Sequence, residues 1–175
     1  MVRKATIGLL GAIGILSMSG AADADAETRL EREFDKWLVA CVEPEGKENS
    51  CTLSQTFRGT NQNTKDRVFV FSWMLTVDQD GKEDVILRTP LGVELNKSVR
   101  ITFPDTGPDS MGFNVCNRNG CFSRFGFESG WSEAMQRNRT ASVEFAFRNG
   151  RDVNLEMELQ GFSSAYAFYR EQLGK

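Results

Sequence analysis

The chain has 175 residues, 40% of them hydrophobic, enough for one domain with a real core and too few to suggest two. Its formal charge of -3 is mild and its basic residues are scattered without a run of like charge, which argues against nucleic acid or a polybasic membrane surface as a partner. Histidine is absent, which removes the commonest general base and the commonest metal ligand from any mechanism.

The N-terminus reads as a secretory signal peptide. Arg3 and Lys4 precede an apolar run, residues 5–18, that ends in small residues. Small-x-small cleavage sites follow at Ala22-Asp23-Ala24 and Ala24-Asp25-Ala26, so residues 1–26 are expected to be removed and residues 27–175 to form a single domain. The apolar run is shorter than the roughly 20 residues a spanning helix needs, and no second one exists. The mature protein is therefore expected to be soluble outside the cytoplasm, with no transmembrane segment.

Leu30, Phe34 and Trp37 stand at helical spacing among charges, predicting a short helical lead-in. From there to about residue 160 the pattern is one of short strands separated by Gly, Pro, Asn and Asp, the signature of an all-β antiparallel β-sandwich. "WLVACV" and "CTLSQTF" flank a first cysteine loop. "VFVFSWMLTV", residues 68–77, is apolar on both alternations and predicts a central, deeply buried strand. Asp80-Gly81 turns it into "DVILRT", with Leu75 and Val77 matched to Val85 and Leu87 as core-facing sets. "SVRITF" is a further strand.

Residues 141–159 predict a hairpin whose loop length is decided by the pleat. A two-residue Asn149-Gly150 loop would set Phe147 against Asp152 and Phe145 against Asn154. A three-residue loop, Arg148 to Gly150, instead sets Phe145 against Val153 and Val143 against Leu155, with Glu144, Glu156 and Glu158 outward. The tail changes period: Phe162, Ala165, Tyr166, Tyr169 and Leu173 form one stripe of a C-terminal helix, with Ser163 as N-cap and Gly174 as stop.

Cys41, Cys51, Cys116 and Cys121 all lie in the exported part, and an even count in an oxidising compartment reads as two disulfides. Local geometry favours Cys41 with Cys51 and Cys116 with Cys121. A two-residue loop of Arg118 and Asn119 makes Cys116 and Cys121 a directly opposed cross-strand pair and sets Val115 against Phe122. The rival turn, Asn119-Gly120, would pair Arg118 with Cys121 and leave Cys116 out of register. In the preferred register Asn117, Arg118, Asn119 and Gly120 form an outward polar tip, a possible recognition surface. The cysteine spacings lack the tight CxxC knuckles of a zinc site or a redox centre, so neither a metal nor a cofactor is expected.

Other motifs weaken on inspection. Asp105-Thr106-Gly107 has the letters of an aspartic-protease triplet, but Pro104 and Pro108 flank it and no second copy exists. "DQDGKE" lacks the carboxylates that a calcium loop needs at its ends and reads as a turn. Without histidine a Ser triad is impossible. Glu156 and Glu158 could serve a carboxylate-only hydrolase but read more simply as an exposed strand face. Asn96 and Asn138 head glycosylation sequons.

Trp37 and Cys41 in "WLVAC", a strand opened by Cys51, "PLGVEL" at residues 90–95, the pair Cys116 and Cys121, and "LQGFSSAYAF" follow one another in an order that resembles the invasion-associated locus B family of bacterial exported proteins. The match spans roughly residues 35–170. The resemblance implies a small β-rich protein of the periplasm, outer-membrane-associated or secreted, in a family named for host-cell invasion. It implies structural roles for Trp37 in the core, Pro90 to Gly92 at a bend and Phe162 as a helix anchor, and it carries over no catalytic residue. The expected function is thus non-enzymatic, through binding of a protein or an envelope component. The alternative is a carrier with an apolar cavity between the sheets, motivated by 13 phenylalanines. No residue announces the partner or an oligomeric state.

Overall fold

The computed structural model describes residues 28–43, 50–61 and 63–174; the expected signal segment with its cleavage sites, and most of the loop between Cys41 and Cys51, lie outside them. A larger sheet contains β1 (Thr28–Phe34), β2 (Trp37–Glu43), β3 (Ser50–Thr60), β4 (Arg67–Val77), β5 (Glu83–Thr89), β8 (Val115–Asn117) and β9 (Gly120–Gly126), in the order β1-β2-β3-β4-β5-β9-β8. A smaller sheet contains β6 (Val99–Thr102), β7 (Pro108–Met111), β10 (Thr140–Ala146) and β11 (Asp152–Glu158), in the order β11-β10-β6-β7. Neighbours in both sheets are antiparallel. Two helices, α1 (Ser129–Arg137) and α2 (Phe162–Leu173), complete the described fold.

The lead-in is a strand and not the expected helix. Leu30 and Phe34 share a strand face, and Asp35-Lys36 returns the chain so that Phe34 opposes Trp37 and Leu30 opposes Cys41. Asp35 takes the left-handed conformation such a tight turn requires, at φ 54°. An isolated helix of this length is marginal in water, whereas pairing with β2 satisfies the backbone and buries the same residues.

β4 is central, between β3 and β5, but only one of its faces is deeply buried. Phe71, Trp73 and Leu75 are fully inside, while Val70, Ser72 and Met74 on the other alternation are half-buried. The register slips between Phe57 and Arg58, where Val70 is the extra residue, so β3 and β4 bend as they leave the sandwich. Leu75 opposes Val85 and Trp73 opposes Leu87, whereas Val77 opposes Glu83 and is only half-buried. The β10–β11 hairpin has the three-residue loop: Phe145 opposes Val153, Val143 opposes Leu155, and Gly150 sits at φ 82°.

The sheets meet through aromatic side chains. Trp37 stands edge-on to Trp73 and to Phe162 at 5.2 and 5.1 Å between ring centroids, and Phe71 stacks on Phe145 across the sandwich. The Gln55 side-chain amide donates to the Glu158 carbonyl at 2.8 Å, a direct link between sheets. Aromatic burial of this kind is the main stabilising contribution of such a core.

α2 begins two residues earlier than expected. Its N-cap is Gly161 at φ 84°, not Ser163, and a Cβ there would lie 2.6 Å from the Phe34 carbonyl oxygen. The backbone of the β1–β2 turn therefore leaves room only for glycine. Gly174 closes the helix by donating its N–H to Arg170, and Gln172 rather than Leu173 is the buried residue of the last turn. α1 lies in a stretch expected to be strand and loop. Trp131, Ala134 and Met135 form its inward stripe, and the Trp131 ring meets Phe103 and Phe125 at 5.2 and 4.9 Å.

Candidate functional site

Both disulfides join directly opposed strand positions. Cys41 and Cys51 bridge β2 to β3, and Cys116 and Cys121 bridge β8 to β9, each with Cα atoms 4.0 Å apart. Val115 opposes Phe122 and Asn117 opposes Gly120, leaving Arg118 and Asn119 as the two-residue loop. Among the described residues no cysteine is free and no group of metal-ligating side chains is assembled.

The tip formed by Asn117 to Gly120 is fastened from three sides. The Asn119 N–H donates to the Asn117 side chain at 2.8 Å, and Arg88 of β5 donates through Nε to the Asn119 carbonyl at 2.8 Å. The Arg88 guanidinium lies over the Phe69 ring, 4.3 Å from its centroid, tying the tip to the β3–β4 arm. Gly120, at φ 138°, sits where a Cβ would be 2.3 Å from the Thr89 carbonyl oxygen. The tip is thus a preorganised polar projection with Asn117, Arg118 and Asn119 exposed, whereas Gly120, expected to face outward with them, is buried against Thr89 and Arg88.

Topology brings three more loops to the same end. The chain passes there from β3 to β4, where Thr60 opposes Arg67, β5 leaves there into residues 90–98, with Thr89 opposite Cys121, and the β10–β11 loop, Arg148 to Gly150, meets that segment. The Arg148 N–H donates to the Gly92 carbonyl at 3.0 Å, and Glu94 donates its N–H to Ala146 at 2.8 Å. Val93, bridged to Phe147, is 1% exposed and pins the 90–98 loop to the core. Each of the four loops presents a cation or is bordered by one: Lys65 and Arg67, Lys97, Arg118, Arg148. The sequence scatters these charges; the fold gathers them.

The opposite end is built from helices and ion pairs. Glu83 accepts from the Tyr166 hydroxyl at 2.8 Å and from Arg170 at 3.1 Å. Burial first, and the Glu83 bond second, push the Tyr166 phenol up to about 12; burial pushes Tyr169 up as well. Asp105, in the triplet with the protease-like letters, accepts from the Asn138 amide at 2.6 Å and from Arg137 at 3.2 Å, which holds its carboxyl below the usual range. It clasps the β6–β7 turn to the end of α1. Asp78 accepts the Lys82 and Asp80 backbone N–H groups, a turn arrangement that occupies its Oδ1 and lowers its pKa through the Lys82 bond above all.

Glu156 and Glu158 are exposed on the outer alternation of β11. Surface depressions of about 640 and 580 Å³ lie on the outer side of the smaller sheet, around Lys97, Arg100 and Glu144, and beside β8, around Ile86, Val115 and Phe122. Trp37, Trp73, Phe71 and Phe162 occupy the space between the sheets where a carrier would need its cavity. The gathered loop cations were missed in the linear reading because their only signature is β-topology, which puts alternate connections at one end.

Two antiparallel sheets packed face to face, stapled at two hairpins and carrying four loops at one end, define a disulfide-bonded β-sandwich whose exposed chemistry lies in its loops. The chain belongs to the invasion associated locus B (IalB) family, whose model matches residues 37–169. It is similar to an invasion protein B homolog of Brucella abortus strain 2308, 24% identical over 155 residues covering 88% of this chain and 87% of the relative, and equally to the homolog of biovar 1 strain 9-941. The crystal structure of invasion associated protein B from Bartonella henselae, 20% identical, superposes with a TM-score of 0.65 over 81% of this chain and 95% of that one, and so shares the fold. Among the described residues no helix is long and apolar enough to cross a membrane.

Proposed function

We propose that this is a non-enzymatic exported protein of the bacterial periplasm or cell surface that acts by binding a protein or envelope component through its loop end. The observation that carries the reading is the tip, Asn117 to Gly120, which is locked by the Cys116–Cys121 bridge and by Arg88 yet leaves its own polar groups exposed. Rigid, solvent-facing loops on a stable scaffold suit recognition, since little order is lost on binding. A chain without histidine, whose buried polar side chains among the described residues are Gln55, Thr89, Ser123 and Gln172, favours binding over acid–base chemistry. The signal-like N-terminus and the family support export; the names of the relatives support a contribution to host-cell invasion.

The test is crosslinking in the native envelope from a photoreactive residue placed at Val115, exposed beside the tip. The expected result is one reproducible partner whose yield falls at least tenfold when Arg118 and Asn119 are both replaced by Ala. Unchanged crosslinking in that variant overturns the reading. Recovery of the protein in the cytoplasmic fraction would overturn the location.

A further inference from the structure

The 90–98 loop poses a question that binding by a polar tip does not answer. Val93 is buried, but Leu91 and Leu95 on either side of it are 54% and 57% exposed although the loop is pinned in place. The other large aliphatics exposed among the described residues are Val68, at the start of β4, and Val115, two residues before the tip. All four therefore lie at or beside the loop end. They project from separate segments rather than forming one flat patch, and cations stand between them: Lys65 and Arg67 near Val68, Lys97 after Leu95, Arg118 after Val115.

None of Lys65, Arg67, Lys97, Arg118 and Arg148 has an ion pair among the described residues, whereas Arg100, Arg124, Arg137 and Arg170 elsewhere each meet a carboxylate. Only Asp66, Glu94 and Asp152 supply negative charge in the same loops and their borders. Leu91 and Leu95 are the exposed leucines among the described residues, and both stand on one loop that Val93 fixes in place. Leu91 and Leu95 line neither of the depressions described above and have no aromatic residue in their own loop, so they lack the anchored pocket of a protein-binding hot spot. Exposed aliphatic side chains that share their loops with unpaired Lys and Arg match the interface of an anionic bilayer, where aliphatics enter the headgroup region and Lys and Arg meet lipid phosphates.

We propose that the loop end docks on the surface of an anionic phospholipid bilayer, with Leu91 and Leu95 entering the headgroup layer and Lys97, Arg118 and Arg148 facing lipid phosphates. This rests on the reading above that the loop end is the binding face, and it names the partner.

The test is vesicle flotation of the protein purified from cells expressing the full chain, using vesicles of phosphatidylcholine with or without phosphatidylglycerol. Binding is expected to the anionic vesicles, to fall at least tenfold on neutral ones, and to weaken with added salt. The Leu91→Ser/Leu95→Ser variant should lose at least tenfold at low salt. Arg118→Glu and Arg148→Glu should each weaken binding severalfold, while Lys82→Glu, the same charge change at the opposite end, should leave it unchanged. Absence of flotation, equal binding to neutral vesicles, or equal losses from Lys82→Glu and Arg118→Glu would each overturn the proposal. Phosphatidylglycerol headgroup added as free glycerol phosphate should not compete; full competition would mean a small-anion site and would also overturn it. Failure with vesicles together with a protein crosslinked from the tip would sink the membrane inference alone; failure of both would sink the loop end as a binding face.

Discussion

At the helix end of the sandwich, arginines meet carboxylates. Arg170 and Tyr166 of α2 reach Glu83 of β5, Arg137 of α1 reaches Asp105 and Glu133, and Arg124 reaches Asp84 at 2.6 Å. At the loop end, Lys97, Arg118 and Arg148 extend from backbone that is equally well fixed, yet no carboxylate meets them among the described residues. Exposed ion pairs contribute only about 0–1 kcal/mol each, so pairing at one end has little to do with total stability. It orients elements: the acids fix α1 and α2 against strand ends. The loop-end cations fix no element against another, so their clustering is what the proposed external surface would explain.

Substitutions should separate the two ends, stability responding at the helix end and binding at the loop end. The largest effect is expected beneath α2. Trp37→Ala removes a ring packed against both Trp73 and Phe162 and should cost about 3–5 kcal/mol in denaturant unfolding. A loss below 1 kcal/mol would mean that α2 is not seated as described. Next come the staples. Replacing both Cys41 and Cys51 by Ala should cost about 3 kcal/mol, and replacing Cys116 and Cys121 about 2 kcal/mol, because the second bridge closes the shorter segment, with a sequence separation of 5 against 10. Only the tip bridge should also cost partner crosslinking. Equal crosslinking in both double variants would break the division between the ends.

Much of this was legible in the chain because period-two alternation is strict where a strand has one buried face. It set the loop length of the β10–β11 hairpin, since only an odd loop puts Phe145 against Val153; the Cys116–Cys121 register came from the short reach of a disulfide, which needs directly opposed positions. Where two periods fit the same residues, the linear reading failed. Leu30, Phe34 and Trp37 suit a helical stripe and equally a hairpin, and the partner strand that decides between them is not a local signal. α1 was hidden for the opposite reason: the spacing of Trp131, Ala134 and Met135 and the Glu133–Arg137 pair were present, but the nine-residue stretch lacks a side-chain N-cap. The loop cations were least legible of all. Arg118 and Arg148 are thirty residues apart in sequence, and only the crossing of the chain between two sheets brings their loops to one end.

A smaller effect separates the ends by pH. Tyr166 and Tyr169 are the chain's only tyrosines, and both hold their protons more tightly when folded than the ordinary value of 10. A phenol with a raised folded pKa contributes stability that is complete below pH 10 and is lost as pH climbs through its folded value, about 12 for Tyr166. The phenolate absorbance of the native protein should therefore stay low at pH 10 and rise together with unfolding above it. Half-ionisation at pH 10 with the fold intact would show that α2 does not bury these rings. Glu83→Ala, which removes the acceptor of Tyr166 and Arg170, should cost about 1 kcal/mol, little of it from the exposed Arg170.

The smallest effect is also the most telling. Leu91→Ser/Leu95→Ser at the loop end should change unfolding free energy by less than about 0.5 kcal/mol, because both side chains are more than half exposed and the loop is held by Val93 and by backbone bonds to Ala146 and Arg148. A core or interface-within-the-fold role for these leucines would instead show as a loss of about 1–3 kcal/mol on truncation. Near-neutral stability joined to lost vesicle flotation would place their contribution outside the folded molecule, and measurable destabilisation would place it inside and remove the contrast between the two ends.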